Sequence, residues 1–565
     1  MKTTRARRGA SILGLAALLA LSGPSGALAK ADVSVQLLAF NDFHGNLEPP
    51  TGSSGRILPA PGQAQVDAGG AAFLASHIRT LRATNPNTLV VSAGDLIGAS
   101  PLLSAAFHDE PTIEAMNQIG LDLNAVGNHE FDDGETELLR MQNGGCHPTD
   151  TAGTCKDADG RFDGANFRFL AANVVRRDTG QPLFPAYSIK KFGNIKVGFI
   201  GMTLEGTPDI VSPAGITNLR FLDEAETANR YANELRNQHG VRAIVVLLHE
   251  GGLPASNAGV NGCGVSGAIT DIVERTTDAV DLFITGHTHQ PYNCVIDGRP
   301  VSSASSFGRV VTDIDFTLDG RTKDVKDVTV NNVIVTRTVT GASDVQARIA
   351  EYNVLVAPIR DRVIGNLTAA LSRTPDSSGE NPAGNAIADA QLFASRSEGA
   401  VAAFMNPGGV RADIDAGPVT FGEAFAMQPF GNNLTTLSMT GAQLYEMLKQ
   451  QFCGAGARRI LLPSATVEYT WDPALAPALN TPCASAGTPV VAGSLKIDGV
   501  PVDAAATYRI TVNSFLADGG DSFPIFPQTT NRVGGVVDTD AFQQYLAANP
   551  NLTPPALDRI DLVSP

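Results

Sequence analysis

Basic residues are scarce in this 565-residue chain, which has 41 lysines and arginines against 57 aspartates and glutamates. The formal charge of -16 excludes a sequence-independent grip on a DNA or RNA polymer, because such binding needs a basic face. The spacing C-x-x-C is missing, which argues against a cysteine zinc site. Beyond residue 29 the sequence also lacks an apolar run of the ~18 residues that a membrane span needs. We therefore expect no nucleic-acid polymer as partner and no membrane span.

The first 29 residues are typical of a secretory signal peptide. A basic start is followed by an apolar stretch at 12–21 and by Ala27-Leu28-Ala29, a small-x-small cleavage site. We expect the protein to be exported to the periplasm or the medium. We also expect it to be a monomer. Six cysteines fit an oxidising compartment and allow fifteen pairings. Of these we predict the pairing of sequence neighbours: Cys146 with Cys155, Cys263 with Cys294, and Cys453 with Cys483.

Short β-branched runs alternate with helical stretches in the first half of the chain, which indicates a layered α/β fold. Helices are predicted around Leu74, Ile78 and Leu81, at 224–236, and at 345–363 as an interdomain connector. We expect a signal peptide at 1–29, a first domain at 30–340, a connector at 341–363 and a second α/β domain at 364–565. The strands predicted in the first domain are 33–40, 88–92, 123–126, 169–172, 196–200, 243–248 and 279–285.

Polar motifs follow the predicted strands at their carboxyl ends, and five of the nine histidines lie in them. Because the carboxyl ends of strands line the ligand crevice of open α/β sheets, these distant segments should converge. Asp42 and His44 lie two residues apart, as do His287 and His289, and in an extended backbone such pairs project to the same side. The five segments are 41–44, 94–95, 127–132, 249–251 and 286–289.

The side chains in these motifs are imidazole, carboxylate and amide, without thiolate. This set suits Mn, Zn, Co or Fe better than Mg or Ca. The donors are too many for a single centre. A pair of metals about 3.5–4 Å apart, bridged by a carboxylate, is the economical arrangement and serves phosphoester hydrolysis.

In full and in order, these motifs resemble the signature of the calcineurin-like metallophosphoesterases, and segments 41–46 and 127–132 resemble its 5'-nucleotidase branch. The resemblance implies an N-terminal four-layer αββα sandwich that holds two divalent metals, with Asp95 as the bridge. It further implies that His129 and Asp132 form a catalytic dyad. The ligands implied for one metal are Asp42, His44, Asp95 and His289, and those for the other are Asp95, Asn128, His249 and His287.

A second set of motifs lies after residue 400. Loop 405–411 is a glycine turn ending in Arg411, which can present N–H groups and a guanidinium to an anion. Segments 428–432 and 513–521 place phenylalanines beside polar groups, and two facing rings can stack a nucleobase. Together they resemble the 5'-nucleotidase C-terminal domain, although the arginines that many members carry before segment 379–385 are missing and only Arg373 is nearby. The substrate-binding residues implied are Asn406, Arg411, Phe430, Asn432, Phe515 and Asp521.

The sequence thus predicts an exported two-metal phosphohydrolase that removes the 5'-phosphate from nucleotides by in-line attack of a metal-bound hydroxide. His129 would stabilise charge on the phosphoryl oxygens, and Asp132 would orient it. A 2',3'-cyclic phosphodiesterase/3'-nucleotidase or a UDP-sugar hydrolase on the same scaffold is the enzymatic alternative. A secreted nucleotide-binding protein without turnover is the alternative of another class. Because the metal motifs precede residue 290 and the others follow residue 400, we expect the two domains to move about the connector during turnover.

Overall fold

The computed structural model of the protein describes residues 31–50, 52–156, 160–211, 213–454 and 458–563. The predicted signal peptide at 1–29 lies outside these residues. The helices of the first part are α1 (Ala71–Arg82), α2 (Leu102–Ala105), α3 (Glu110–Ile119), α4 (Gly134–Asn143), α5 (Glu224–His239), α6 (Ala268–Arg275) and α7 (Ser343–Arg360). Its strands are β1 (Val33–Phe40), β2 (Arg56–Ile57), β3 (Val66–Asp67), β4 (Thr88–Ser92), β5 (Leu123–Ala125), β6 (Arg168–Leu170), β7 (Val174–Arg176), β8 (Tyr187–Phe192), β9 (Ile195–Thr203), β10 (Leu219–Phe221), β11 (Ala243–His249), β12 (Leu282–Thr285), β13 (Pro291–Ile296), β14 (Arg299–Ala304), β15 (Val310–Leu318) and β16 (Val325–Ile334).

Two six-stranded sheets form the centre of this part. One has the strand order β16-β15-β1-β4-β5-β6, and the other has the order β13-β14-β12-β11-β9-β8. In the first sheet β1, β4, β5 and β6 are parallel, and β15 and β16, which pair in antiparallel fashion, lie at one edge. In the other sheet β14, β12, β11 and β9 are parallel, and an antiparallel strand lies at each edge. Strand β11 is buried along its whole length, as its unbroken apolar sequence predicts for a parallel strand covered on both faces.

Apolar side chains of the two sheets face each other in one buried cluster that includes Leu37, Val91, Val245 and Ile284. On the outer face of the first sheet, α1, α3 and α4 supply a second cluster, and on the outer face of the other sheet α5 and α6 supply a third. The result is four layers in the order helix, sheet, sheet, helix. This is the αββα sandwich expected from the sequence.

The second part of the chain has its own sheets. Its helices are α8 (Pro382–Ser395), α9 (Phe421–Met427), α10 (Gly441–Gln450), α11 (Ser514–Ala517) and α12 (Asp538–Ala548). Its strands are β17 (Val363–Leu367), β18 (Ala402–Met405), β19 (Gly417–Thr420), β20 (Asn433–Thr440), β21 (Leu462–Pro463), β22 (Val467–Trp471), β23 (Lys496–Ile497), β24 (Val500–Pro501), β25 (Thr507–Asn513), β26 (Thr530–Val537) and β27 (Ile560–Leu562). The largest of these sheets has the order β21-β18-β25-β20-β26.

Helix α7 joins the two parts and packs on both. Val345 and Val356 are buried in the core of the first part, and Phe421 and Phe425 of α9 pack against the same cluster. The prediction of a helix at 345–363 is wrong at its end, because α7 stops at Arg360 and Val363 already belongs to β17. The last strand predicted in the first domain is also shorter than expected, since residues 279–281 precede β12.

Three disulfides connect the predicted cysteine pairs. They are Cys146–Cys155, Cys263–Cys294 and Cys453–Cys483, with Cα–Cα distances of 5.4, 5.1 and 5.0 Å. The pairing of sequence neighbours is therefore confirmed. Among the described residues we find no helix whose length and apolar character would suffice to cross a bilayer.

Candidate active site

The register of the two sheets brings the five polar segments to one edge. Phe40 at the end of β1 pairs with Ser92 at the end of β4, so the two chains leave the sheet at the same level. In the other sheet Leu248 of β11 pairs with Thr285 of β12. Two backbone hydrogen bonds then join the first two loops, from Asp42 N–H to Gly94 O (2.9 Å) and from His44 N–H to Asp95 O (3.0 Å).

The backbone of these loops differs from the extended conformation expected from the sequence. Asp42 and His44 have φ of 50° and 46°, and His287 and His289 have φ of 70° and 57°. All four therefore occupy the left-handed region, as Asp95 does at 51°. Such residues cost about 1–3 kcal/mol each and persist where surrounding structure holds them. The pairs converge on one centre because of these sharp turns and not through strand periodicity.

The predicted metal residues form one cluster, which is buried except for the half-buried His287 and His289. Asp95 Oδ2 lies 2.9 Å from His249 Nε2 and 3.6 Å from His44 Nε2, which places this oxygen between two imidazoles. Asp42 Oδ1 lies 3.3 Å from His289 Nε2, and the Nε2 atoms of His44 and His289 are 3.0 Å apart. Asn128 completes the cluster, since its Oδ1 lies 3.2 Å from His249 Nε2 and 3.0 Å from His287 Nδ1.

The hydrogen bonds of two imidazoles fit a cation at this cluster. His44 Nδ1 donates to Gly98 O (2.9 Å), and His249 Nδ1 donates to Ala93 O (2.8 Å). A carbonyl can only accept, so Nδ1 of each ring carries a proton and Nε2 faces the cluster. When Nε2 has no proton it offers its lone pair there, and this is the tautomer that binds metals. Triads of ligand atoms lie within 4.8 Å of one another in the sets Asp42, His44, His289 and Asp42, Asp95, His249. The donor set therefore fits divalent metals.

The pKa values show a strong local field. Burial by itself lowers the pKa of His249, but the carboxylates of Asp95 and Asp42 outweigh burial and raise it to about 10. Burial lowers the pKa of His287 to about 4, helped by the positive charge of His249. The field that holds a proton on His249 Nε2 would equally favour a divalent cation at that point, since both respond to the same two carboxylates.

His129 and Asp132 form an ion pair beside the cluster. His129 begins a short 3-10 turn (His129–Phe131) that three residues separate from β5, and its Nδ1 is 2.8 Å from Asp132 Oδ2. Its backbone N–H donates to Asp95 Oδ1 at 2.9 Å, which ties the pair to the metal cluster. Burial disfavours the imidazolium form, but Asp132 and Asp95 outweigh burial and raise the pKa of His129.

Two buried residues hold this geometry, although the sequence analysis gave them no role. Asn41 donates from Nδ2 to Asp42 Oδ2 (2.5 Å) and accepts from Ala304 N–H (2.7 Å). Glu130 accepts from the backbone N–H groups of Asp95 (2.9 Å), Leu96 (2.9 Å) and Gly127 (2.6 Å). Both residues lie inside the motifs named above. Spacing alone, however, does not distinguish a residue that binds a metal from one that holds such a residue in place.

A single cavity of about 300 Å³ extends from this cluster to the second part of the chain. Asn128, His129, Asp132 and His287 line one end of it. The six residues implied as substrate-binding line its other walls: Asn406, Arg411, Phe430, Asn432, Phe515 and Asp521. The ring of Phe430 stacks on that of His129, with centroids 5.7 Å apart, and the Arg411 guanidinium lies 5.8 Å from the Phe430 centroid.

The second sheet explains why its polar residues meet. β18 and β25 are parallel neighbours, so Asn406 and Asn513 both stand at their carboxyl ends. Leu434 of the antiparallel strand β20 pairs with Asn513, which puts the preceding Asn432 at the same edge. Asn513 Nδ2 donates to Asn406 Oδ1 (2.9 Å), and Asn406 Nδ2 donates to Asp521 Oδ2 (2.8 Å).

Arg459 also lines the cavity, and the sequence analysis missed it because it belongs to none of the motifs. Its Nε lies 3.7 Å from Asp521 Oδ1. Arg373, the arginine noted near segment 379–385, does not line the cavity. Burial lowers the pKa of Arg411, and the positive charge of Arg373 adds to this effect.

Fold and site together define a phosphoesterase whose donor cluster fits divalent metals, followed by a second α/β part. The family model for calcineurin-like phosphoesterase matches residues 35–291, and the model for the 5'-nucleotidase C-terminal domain matches residues 363–528. The chain therefore belongs to the 5'-nucleotidase family, and it is a phosphoester hydrolase. The family and fold predicted from the motifs are confirmed.

The chain is similar over most of its length to two bacterial proteins and to one solved structure. The chain is 33% identical over 519 residues to "Endonuclease YhcR" of Bacillus subtilis, covering 91% of this chain but 40% of that protein. It is 31% identical over 562 residues to "Cell wall protein Lmo0130" of Listeria monocytogenes, covering 93% of this chain and 68% of that one. The structure of a 5'-nucleotidase precursor from Thermus thermophilus matches with 26% identity and a TM-score of 0.75, covering 94% of this chain and all of that one.

Proposed function

We propose that the protein removes the phosphate from nucleoside 5'-phosphates. The observation that carries this proposal is the cavity, because one continuous space joins the metal cluster to two phenylalanines and a carboxylate in the second part of the chain. Such a space suits a ligand with a phosphate at one end and a flat base at the other. Its volume of about 300 Å³ lies at the small end of ligand sites, which favours a mononucleotide over a dinucleotide.

We further propose two divalent metals, drawn from Mn, Zn, Co or Fe, with Asp95 as the shared ligand. The position of Asp95 Oδ2 between His44 and His249 supports that role. When bound, the metals supply positive charge to the phosphoryl oxygens and lower the pKa of water at the site. The ligands proposed for one metal are Asp42, His44, Asp95 and His289, and for the other Asp95, Asn128, His249 and His287.

The remaining residues divide the work of binding and catalysis in this proposal. Arg411 holds the phosphate through charge-assisted hydrogen bonds. His129, kept cationic by Asp132, donates to a phosphoryl oxygen as negative charge develops there. Phe430 and Phe515 stack the base, and Asp521 accepts hydrogen bonds from the ribose hydroxyls.

Domain division and export belong to the same proposal. We propose a first domain at 30–340 and a second at 364–565, which turn about α7 as substrate enters and product leaves. The distribution of the sheets supports the division, because each sheet of the described residues takes its strands from one part alone. The disulfides support export to the periplasm or the medium, where thiols oxidise.

An activity panel tests the function. Purified protein, loaded in turn with Mn, Zn, Co and Mg, is given 5'-mononucleotides, 3'-mononucleotides, 2',3'-cyclic nucleotides and UDP-sugars, and phosphate release is measured. We expect the highest kcat/KM for a 5'-mononucleotide and two metals per chain. Preference for a cyclic or sugar-linked substrate would overturn the assignment, and so would a maximum of one metal per chain.

A pair of variants links the activity to the cluster. Asp95→Asn removes the carboxylate oxygen that both centres share, so we expect turnover to vanish and metal content to fall. His77→Ala serves as the control, since His77 lies on α1 and its Nε2 contacts Thr336 O, away from the cluster. Undiminished turnover in Asp95→Asn would contradict the bridging role.

A further inference from the structure

The wall of the cavity in the second part of the chain holds an ion pair between Asp521 and Arg459, of which Arg459 belongs to none of the motifs described above. Arg459 Nε lies 3.7 Å from Asp521 Oδ1, and both side chains are largely shielded from solvent, with exposures of 23% and 13%. Both line the cavity. This pair is therefore in reach of the nucleoside end of a bound substrate.

The Asp521 carboxylate is held from two sides. Its Oδ2 accepts from Asn406 Nδ2 at 2.8 Å, and Asn406 is in turn fixed by Asn513 at 2.9 Å. Its Oδ1 faces the Arg459 guanidinium. The loop beneath it is left-handed at Asp521 (φ 55°) and Ser522 (φ 60°), a conformation that needs support from its surroundings. One oxygen thus depends on the amides and the other on the arginine.

Arg459 is itself anchored on both flanks. Its backbone N–H donates to Gln451 O (3.0 Å), and Gln451 Oε1 accepts from Leu461 N–H (2.6 Å). The Cys453–Cys483 disulfide ties down the chain just before this segment. The guanidinium is therefore presented by a fixed backbone.

The guanidinium also balances charge in a cavity that must accept an anion. Burial raises the pKa of Asp521, and the positive charge of Arg459 together with the Asn406 hydrogen bond opposes that rise. A carboxylate without this neighbour would repel a phosphorylated ligand and would more readily take up a proton, which removes acceptor capacity.

We propose that Arg459 is a positioning residue which holds the Asp521 carboxylate ready to accept hydrogen bonds from both hydroxyls of a vicinal ribose diol, and so makes the enzyme select ribonucleotides over 2'-deoxyribonucleotides. The inference rests on the proposed function, since it assumes a nucleoside 5'-phosphate in the cavity. A 2'-deoxyribose has only one of these two hydroxyls, so it can form only one hydrogen bond with the positioned carboxylate of Asp521. Its binding should therefore depend less on Arg459.

The test compares AMP with 2'-deoxy-AMP in wild type, Arg459→Ala and Arg459→Lys. We expect Arg459→Ala to raise KM for AMP about tenfold, which corresponds to the loss of one hydrogen bond from a ribose hydroxyl to the Asp521 carboxylate, and to raise KM for 2'-deoxy-AMP less than about threefold. The kcat values and the metal content should stay within about twofold of wild type. Arg459→Lys should recover part of the loss, because it restores the charge without the planar fork.

The neighbouring Arg458→Ala is the matched control. Arg458 is exposed and its Nη2 contacts Pro477 O (3.4 Å), so it should leave both KM values unchanged. If Arg459→Ala raises KM equally for the two substrates, Arg459 acts on the base or the phosphate and the proposal is overturned. An unchanged KM for AMP in this variant would overturn it as well.

Two further measurements separate this inference from the proposed function. Wild-type protein that fails to hydrolyse AMP contradicts the function itself, before any variant is compared. Calorimetry then measures the affinity of the protein for adenosine and for 2'-deoxyadenosine, which tests the role of Arg459 without turnover. We expect wild type to prefer adenosine and Arg459→Ala to lose this preference. Equal binding of both nucleosides by wild type would overturn the inference. Thermal melting of each variant confirms that it is folded.

Discussion

Gly127→Ala is the sharpest test of the cluster, because a single methyl group meets the shared carboxylate. A Cβ at Gly127 would lie 2.1 Å from Asp95 Oδ1 and 2.7 Å from Asp95 N, whereas real Cβ atoms essentially never come within 3.0 Å. Gly127 lies outside the left-handed region, so the substitution adds no backbone strain of its own. To restore ordinary contact distances, the carboxylate of Asp95 must therefore move by about 1 Å and the backbone at Asp95 N by a few tenths of an ångström.

A shift of this size exceeds what the site can absorb. Asp95 Oδ1 accepts from His129 N–H at 2.9 Å, and Oδ2 lies 2.9 Å from His249 Nε2, so the carboxylate is held from opposite sides. Metal–ligand distances tolerate about 0.2 Å, and a misplacement of about 1 Å near reacting groups costs about a hundredfold in rate. Overpacking should also cost about 1–3 kcal/mol in the free energy of unfolding.

The assay measures metal content, kcat at saturating metal and the free energy of unfolding for Gly127→Ala and for Gly487→Ala. Gly487 is the matched control, because it lies outside the left-handed region and a Cβ there meets nothing within 4 Å. We expect Gly127→Ala to fold, to bind fewer than two metals and to lose about a hundredfold in kcat, while the control stays within about twofold of wild type. Wild-type metal content and kcat in Gly127→Ala would refute the reasoning.

Two other substitutions test separate parts of the site. Gly520→Ala would put a Cβ 2.5 Å from the Phe515 ring, so the ring must move. We expect the KM for nucleotides to rise while the metal content stays unchanged. An unaltered KM would contradict base stacking by Phe515. Asp132→Asn removes the negative charge that raises the pKa of His129, so His129 should lose its proton at a lower pH. We therefore expect kcat to fall about a hundredfold and the alkaline limb of the pH–rate profile to move to lower pH. An unmoved limb would mean that His129 does not titrate in that limb.

The metal end of the site was open to prediction because its residues are few and chemically distinctive. Each proposed ligand follows an apolar strand, and chain order together with residue type was enough to predict that the segments holding His44, Asp95, His249 and His287 converge. The strands themselves follow from short apolar runs, so β1 and β4 have the predicted bounds. The left-handed backbone at Asp42 and His44 could not be predicted, because it depends on hydrogen bonds to the neighbouring loop 94–96.

The roles of the residues that hold the site in place could not be predicted for a similar reason. Glu130 stands in a quoted motif, yet its role comes from three backbone N–H groups on two different loops. Arg459 belongs to no motif at all, and only the approach of its loop to Asp521 gives it a place in the cavity. Long-range contacts of this kind leave no local periodicity or spacing in the sequence.

Residue type, local pattern and chain order were enough to predict the family, the two α/β parts and the proposed donors. They also favoured the pairing of neighbouring cysteines among fifteen possibilities, which the structure then confirmed. Tertiary structure alone decided that Asp95 Oδ2 lies between two imidazoles, that His44 and His249 present Nε2, and that one cavity crosses from the first part of the chain to the second. Those features are set by sheet register and by packing across α7, which join residues hundreds of positions apart, and distance in space is not written in any local stretch of the chain.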